Sequence, residues 1–258
     1  MGIYDRDYYR SQPSRGGFAA ARALSVTTWL IIINVAVFFL DHILAGMADG
    51  GRHGRGYNDQ IGLLTQWGYF SFTTAILQGQ VWRFVTFQFL HAGLPHLFWN
   101  MLSLYFFGRI VEPMYGAGKF LGMYLTCGVA GTVAYMLLWA AGVFGDVGAQ
   151  TQLVGASAGI FGVLVIAAMI APDVTFMLII PPIPMRLRTL AWIMLGIAAY
   201  AVIFSGNNAG GEAAHLGGAV MGFLFVKNPR LLDIFRPGRF QRRPRGRRFS
   251  DWRNDPDH

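Results

Sequence analysis

A serine and a histidine in this sequence lie in apolar segments rich in glycine and alanine. Ser157 belongs to LVGASAGIFGVL (residues 153–164), and His215 belongs to AHLGGAVMG (residues 214–222). A serine hydroxyl becomes an effective nucleophile when a base removes its proton, and histidine suits that role because its pKa is near neutrality. The two residues could therefore carry out nucleophilic catalysis if the chain brings them together.

A second polar pair, His96 and Asn100, lies in an apolar segment earlier in the chain. Because the two residues are four positions apart, they share one face of a helix. Their side-chain N–H groups could stabilise the oxyanion that forms when a serine attacks an acyl group. The backbone N–H of Ser157 could be a further donor, because it belongs to the first turn of its predicted helix.

Each of these residues also has a structural interpretation. Ser157 could serve close helix packing, His215 could cap a helix, and His96 with Asn100 could form interhelical hydrogen bonds. Gly218 and Gly222 are four apart and form a small-residue seam, which would let the segments of Ser157 and His215 approach closely. The sequence shows no clear acidic partner for His215; Glu212, one turn earlier, could cap the helix.

The composition of the chain is typical of a membrane protein. Of 258 residues, 54% are hydrophobic and only 13% are charged, and the mean hydropathy is +0.41. Soluble domains carry about 25% charged residues. Because the sequence contains neither a metal-ligand spacing nor a phosphate-binding loop, it predicts no bound metal and no cofactor.

Six apolar segments are candidates for membrane crossing, which takes roughly 20 residues. They are Thr27–Ala45, Leu94–Val111, Phe120–Ala141, Leu153–Ala171, Thr189–Phe204 and Glu212–Val226. The sequence therefore predicts an all-α membrane protein built as a bundle of six transmembrane helices. The first loop, Met47–Gly93, contains apolar and aromatic runs, which predict a segment lying at the membrane interface.

Basic residues are concentrated at both ends of the chain. Residues 1–26 contain four arginines, and residues 227–258 contain ten Lys or Arg against four Asp, a net charge of +6. Such segments lie in the cytoplasm and contact anionic lipid. We predict two cytoplasmic tails flanking a membrane domain of residues 27–226. We favour this interpretation over the alternative that the second tail binds nucleic acid.

In this orientation the second, fourth and sixth segments run inward. His96, Asn100, Ser157 and His215 lie near the starts of these three segments, so they are predicted to share one depth near the outer surface. Polar residues inside membrane spans usually face a cavity or one another. Their common depth favours a single shared site over several separate packing roles.

These residues and their order resemble the rhomboid family of intramembrane serine proteases. The resemblance runs from Gln80 to about Val226 and rests on five motifs: WR at residues 82–83, FLHAGLPHLFWN at 89–100, GRIVEPMYG at 108–116, GASAG at 155–159 and AHLGG at 214–218. One departure is Ala158, where the family usually has a glycine after the serine. The serine and the histidine are both retained.

The resemblance implies a six-helix fold in which a serine–histidine dyad cleaves transmembrane protein substrates near the outer face of a lipid bilayer. It implies Ser157 as the nucleophile, His215 as the base, and His96 with Asn100 as oxyanion donors. Structural positions of the family are matched by Trp82, Arg83, His91, Arg109 and Glu112. A bacterial inner membrane fits the compact six-span core. The substrate, the cleavage sequence and the oligomeric state are not set by the sequence.

Two other functions compete with proteolysis. A non-catalytic relative that binds membrane proteins as a scaffold would be expected to lose the serine or the histidine, and this chain keeps both. A small transporter or channel would need charges along a continuous path. Here the polar groups of the spans stop near one face.

Overall fold

The computed structural model describes residues 24–48, 62–144, 149–177, 182–204 and 208–235. Most of both predicted tails and the start of the first loop lie outside the described residues. The α-helices, in chain order, are α1 (Val26–Ala48), α2 (Leu63–Gly68), α3 (Arg83–Thr86), α4 (Leu94–Tyr115), α5 (Ala117–Ala140), α6 (Ser157–Ile170), α7 (Leu187–Ile203) and α8 (Ala209–Lys227).

Shorter elements connect these helices. A π-helical turn (Thr73–Leu77) and a 3-10 turn (Phe87–Phe89) lie in the first loop, and a 3-10 helix (Pro229–Phe235) follows α8. Strands β1 (Thr175–Met177) and β2 (Pro184–Arg186) form an antiparallel hairpin between α6 and α7. Three-residue strands leave no periodic pattern, so sequence analysis did not predict this hairpin.

The long helices α1, α4, α5, α6, α7 and α8 lie at the six predicted apolar segments. Of the helices in the described residues, α1, α5 and α8 are long and apolar enough to cross a membrane, and α6 and α7 are shorter apolar helices. The mostly helical architecture fits the predicted all-α membrane class.

The predicted fourth segment, Leu153–Ala171, is helical only from Ser157 onwards. Leu153 instead pairs with Phe70 of the first loop. Each backbone N–H donates to the carbonyl of the other residue, at 2.8 Å from Leu153 and 3.0 Å from Phe70. Gly155 has a φ of +128°, which is outside the helical region and suits glycine. Ser157 is therefore the first residue of its helix, whereas the predicted segment began at Leu153.

Helix α6 is the centre of the bundle and packs against α4, α5, α7 and α8. The seam between α6 and α8 consists of small residues on both sides. A methyl group at Gly218 would overlap the carbonyl oxygen of Ala158, and one at Gly222 would overlap that of Gly162. The predicted small-residue seam is confirmed, and it lets the two backbones approach closely.

Arg83 is a buried residue that holds the first loop together. Its guanidinium donates to the Gln80 side-chain oxygen at 2.6 Å and to the carbonyls of Tyr69 and Gln66 at 2.6 and 2.8 Å. Two of these acceptors belong to α2 and the residue that caps it, and the third lies just before α3, so Arg83 joins these two parts of the loop. Arg83 therefore has the structural role that its family position implies.

Glu112 of α4 joins two of the long helices. Its carboxylate accepts from the backbone N–H groups of Val26 and Thr27, at 2.6 and 2.8 Å, and from the Thr27 hydroxyl at 2.6 Å. These N–H groups belong to the first turn of α1, where a helix has no acceptors of its own. The carboxylate therefore caps α1 and fixes its start against α4.

Candidate active site

Ser157 is held at the start of α6 by the first loop. Besides the bridge between Phe70 and Leu153, the N–H of Gly155 donates to the carbonyl of Phe87 at 2.9 Å. The strand-like segment before the helix is therefore fixed on the loop side. This positions the Ser157 hydroxyl, which is partly exposed, at the N-terminal end of the central helix.

His215 reaches Ser157 from α8. Its Nε2 lies 2.7 Å from the Ser157 Oγ, within hydrogen-bond distance. The Phe161 ring, one turn along α6, stacks on the imidazole with ring centroids 4.2 Å apart and planes 6° apart. The small-residue seam brings the helices together and Phe161 fixes the ring plane, so the contact has a defined geometry.

His96 of α4 lies against the segment that precedes Ser157. A Cβ placed on Gly155 would be 2.8 Å from Cε1 and Nε2 of the His96 ring. The other ring nitrogen, Nδ1, accepts a hydrogen bond from the Ala92 N–H at 3.4 Å. In the neutral ring the proton is therefore on Nε2. His96 thus presents an N–H donor beside Ser157.

Asn100 lies one turn further along α4, on the face that carries His96. Its side chain is buried, and its Nδ2 has no hydrogen-bond partner among the described residues. A buried N–H without an acceptor is costly and uncommon, so it calls for a functional explanation. The structure thus places Ser157 in contact with His215, His96 beside them, and Asn100 with a spare donor.

Sequence analysis missed one residue of this site, Glu212. Its Oε2 lies 2.8 Å from Nδ1 of His215, so the imidazole has a polar partner on each nitrogen. The sequence suggested only a helix cap for Glu212. The signal that could have revealed the contact is the i, i+3 spacing of Glu212 and His215, which puts both side chains on one face of α8.

His91 precedes α4 and is a buried neighbour of His96, with ring centroids 5.1 Å apart. Neither ring nitrogen has a hydrogen-bond partner among the described residues. Burial, together with the nearby charge of His96, lowers the pKa of His91 to about 3. The ring is therefore neutral at physiological pH and packs against the site without contributing a charge.

Comparison with known proteins decides the family. The family model of the Rhomboid domain matches residues 78–227, which is more than half of the chain and includes all four predicted site residues. The chain belongs to the rhomboid family. Together with its apolar helices, this membership makes it an integral membrane protein.

Curated relatives of this rhomboid include bacterial and eukaryotic proteins. It is 39% identical to Rhomboid protease GluP of Bacillus subtilis over 89 residues, which are 34% of this chain and 16% of that protein. It is 32% identical to the mitochondrial Rhomboid protein 1 of Saccharomyces cerevisiae over 142 residues, 53% of this chain and 38% of that protein.

A longer alignment joins this rhomboid to Rhomboid protease AarA of Providencia stuartii. The two are 25% identical over 217 residues, which cover 78% of this chain and 71% of that protein. By contrast, the chain spans well under half the length of the Bacillus GluP and yeast relatives. The names of the Bacillus and Providencia relatives show that the family includes proteases. The activity of this chain has to be argued from its own residues.

Proposed function

We propose that this rhomboid is an intramembrane serine endopeptidase in which Ser157 is the nucleophile and His215 is the general base. The observation that carries the proposal is the 2.7 Å contact between the Ser157 Oγ and the His215 Nε2. Two residues 58 positions apart meet at a closely packed helix seam. Both are partly exposed and so within reach of a substrate.

The proposed reaction has two acyl-transfer steps. Ser157 Oγ attacks the carbonyl carbon of the peptide bond while His215 Nε2 takes the hydroxyl proton. His215 then gives this proton to the departing amine, leaving an ester on Ser157. A water molecule, deprotonated by the same imidazole, hydrolyses the ester, releases the carboxylic acid and restores the hydroxyl.

The oxyanion of each step would be stabilised by three donors. These are the His96 Nε2–H, the Asn100 Nδ2–H and the backbone N–H of Ser157. Asn100 Nδ2 has no partner in the part of the chain that the structure describes, and the tautomer of His96 puts a proton on Nε2. Both support this role, because the two N–H groups can meet a developing charge. The Ser157 N–H adds the positive end of the α6 dipole.

The proposed substrates are transmembrane protein segments within a lipid bilayer. Large apolar side chains are exposed along α1 and α7, among them Phe39, Ile43, Trp192, Ile197 and Ile203, and such surfaces suit contact with lipid. We further propose six membrane crossings, both termini in the cytoplasm, and a site near the outer face. A bacterial inner membrane remains the proposed location.

Cleavage of a generic transmembrane substrate tests this function. Purified wild-type protein should cut the substrate, and the Ser157→Ala and His215→Ala variants should insert and fold but lose cleavage by more than about 10²-fold. The alternative, a non-catalytic scaffold, predicts substrate binding without cleavage by all three proteins. Cleavage by either variant within tenfold of the wild type would identify a different catalytic pair.

A further inference from the structure

Beyond the serine and the histidine, the site contains a carboxylate that no family motif in the sequence pointed to. We propose that Glu212 is a positioning residue for His215, so that Ser157, His215 and Glu212 act as one hydrogen-bonded chain. This inference rests on the proposed function, because it concerns how the same site prepares its base.

The two contacts of the imidazole fix its tautomer. An ionised carboxylate can only accept a hydrogen bond, so the 2.8 Å contact with Glu212 Oε2 requires the proton of the neutral ring on Nδ1. The Nε2 lone pair then faces the Ser157 Oγ at 2.7 Å and can accept the hydroxyl proton. Without Glu212, a ring protonated on Nε2 would donate to Ser157 and could not act as its base.

The surroundings of this contact make it more than a surface ion pair. The side chains of His215 and Glu212 are only 14% and 20% exposed. By comparison, Asp173 is 70% exposed where it pairs with Arg186 and Arg188 at 3.5 Å. An exposed pair contributes little, whereas a shielded charge-assisted hydrogen bond is short and directional.

The ring is also held from one of its faces. Phe161 stacks on one of its faces with nearly parallel planes, and the i, i+3 spacing on α8 sets the direction of the Glu212 contact. Rotation of the imidazole would break contacts with both neighbours. Glu212 therefore sets which nitrogen faces Ser157, and Phe161 sets the plane in which it does so.

A purely structural role for Glu212 makes a different prediction. Glu212 lies in the first turn of α8, where an acidic side chain stabilises the helix through its dipole. In that case, removal of the carboxylate would lower the melting temperature and leave the turnover of the folded protein unchanged. It would also leave the tautomer of His215 unchanged.

The test compares three variants: Glu212→Gln, Glu212→Ala and the matched control Asp173→Asn, which removes an acid beyond the opposite end of α6. A buried triad acid contributes up to about 10⁴-fold in turnover, and since Glu212 is partly exposed we expect a loss of about 10- to 100-fold in both Glu212 variants. The control should cleave at the wild-type rate.

A second readout does not need activity. With ¹⁵N-labelled histidine, nitrogen chemical shifts report which ring nitrogen carries the proton, and the signal of His215 is assigned by its loss in His215→Ala. The wild-type ring should be protonated on Nδ1. In Glu212→Ala the Nε2-protonated tautomer should appear, and Asp173→Asn should keep the wild-type spectrum.

The two readouts separate failure of this inference from failure of the proposed function. Turnover within twofold of the wild type in Glu212→Ala, or an Nε2-protonated His215 in the wild type, would overturn the role of Glu212 and leave the protease intact. If neither wild type nor Ser157→Ala cleaves, but the tautomer of His215 changes as expected in Glu212→Ala, the positioning contact is supported and the proteolytic function is contradicted.

Discussion

At the scale of single residues, the hydrogen-bond donor of Asn100 distinguishes a role in oxyanion stabilisation from a role in helix packing. A side chain that tied α4 to its neighbours would use its N–H groups in the folded protein. Asn100 instead leaves its Nδ2 buried and without a partner among the described residues. In the proposed reaction this donor gains an acceptor when a negative oxygen forms next to Ser157.

Asn100→Ala should therefore reduce turnover with little loss of stability. One well-placed oxyanion donor contributes about 10²–10³-fold to the rate, and because His96 and Ser157 share the load we expect about 10²-fold or less. Substrate binding should weaken less than turnover, because the oxyanion exists only during the reaction. Cleavage kinetics and a melting curve on one preparation measure both effects.

Asn34 is the matched control, because it is a buried asparagine in α1 whose Nδ2 donates to the Leu30 carbonyl at 2.8 Å. Asn34→Ala should melt earlier while the folded fraction keeps wild-type turnover. An Asn100→Ala protein that behaves in the same way would remove Asn100 from the oxyanion site and make it a packing residue.

At the scale of elements, the seam between α6 and α8 determines whether Ser157 and His215 can meet. A Cβ on Gly218 would overlap the carbonyl oxygen of Ala158, so the two backbones lie unusually close. The side chains of Ser157 and His215 meet across this seam at 2.7 Å. Glycine and alanine on both sides of the seam permit that approach. The seam thus brings two motifs that are distant in the sequence together at one site.

Gly218→Ala tests the seam, because a methyl group there would overlap the carbonyl oxygen of Ala158. Overpacking of this kind costs about 1–3 kcal/mol, so the variant should melt earlier. It should also cleave more slowly, because the displaced α8 carries His215 away from Ser157. Thermal melting and cleavage of a transmembrane substrate measure the two effects.

Gly196→Ala in α7 is the control for the same chemical change, because a Cβ at Gly196 meets no atom within 4 Å. Replacing a glycine by alanine inside a helix stabilises it by up to about 1 kcal/mol. This variant should be at least as stable as the wild type and equally active. Equal behaviour of the Gly218 and Gly196 variants would contradict the account of the seam.

The sequence predicted the long helices better than the segments between them. Apolar runs as long as a helix predict the helices of the bundle, because each of these helices carries apolar residues along its whole length. The pairing of Leu153 with Phe70 could not be predicted, because it depends on where the loop packs and not on any local pattern. For the same reason the Glu212–His215 contact was overlooked, since a rotamer and not the spacing alone decides between a cap and a partner.

The prediction of the site residues depended more on sequence motifs than on physical arguments. Ser157 and His215 were paired through the seam and through family resemblance, and their contact is present in the structure. The predicted start of the fourth segment at Leu153 was wrong, because Gly155 and the loop contacts delay the start of α6 to Ser157. That start places the Ser157 N–H among the unpaired donors of the first turn.

At the scale of the whole molecule, the distribution of charge is the basis of the proposed orientation in the membrane. The basic residues of the two tails flank a bundle with large exposed apolar side chains. The start of the C-terminal tail packs onto this bundle, since Leu232 of the final 3-10 helix is buried. If both ends are cytoplasmic, the site at the start of α6 faces the outer side.

Topology reporters test this orientation. Fusions before Gly2 and after His258 should both report a cytoplasmic location, because positively charged flanks are retained on that side. A fusion after Gly148, in the link between α5 and α6, should report an external location. An external C-terminal reporter would contradict both the six crossings and the outer position of the site.

Covalent labelling of Ser157 tests the central claim most directly, because it reads out an activated serine without any choice of substrate. Wild-type protein is treated with a fluorophosphonate, and the modified residue is mapped by mass spectrometry. We predict one adduct at Ser157, none in Ser157→Ala, and labelling of His215→Ala slowed by about 10²-fold or more. An unlabelled Ser157 in folded wild-type protein, or equally fast labelling in His215→Ala, would contradict the account.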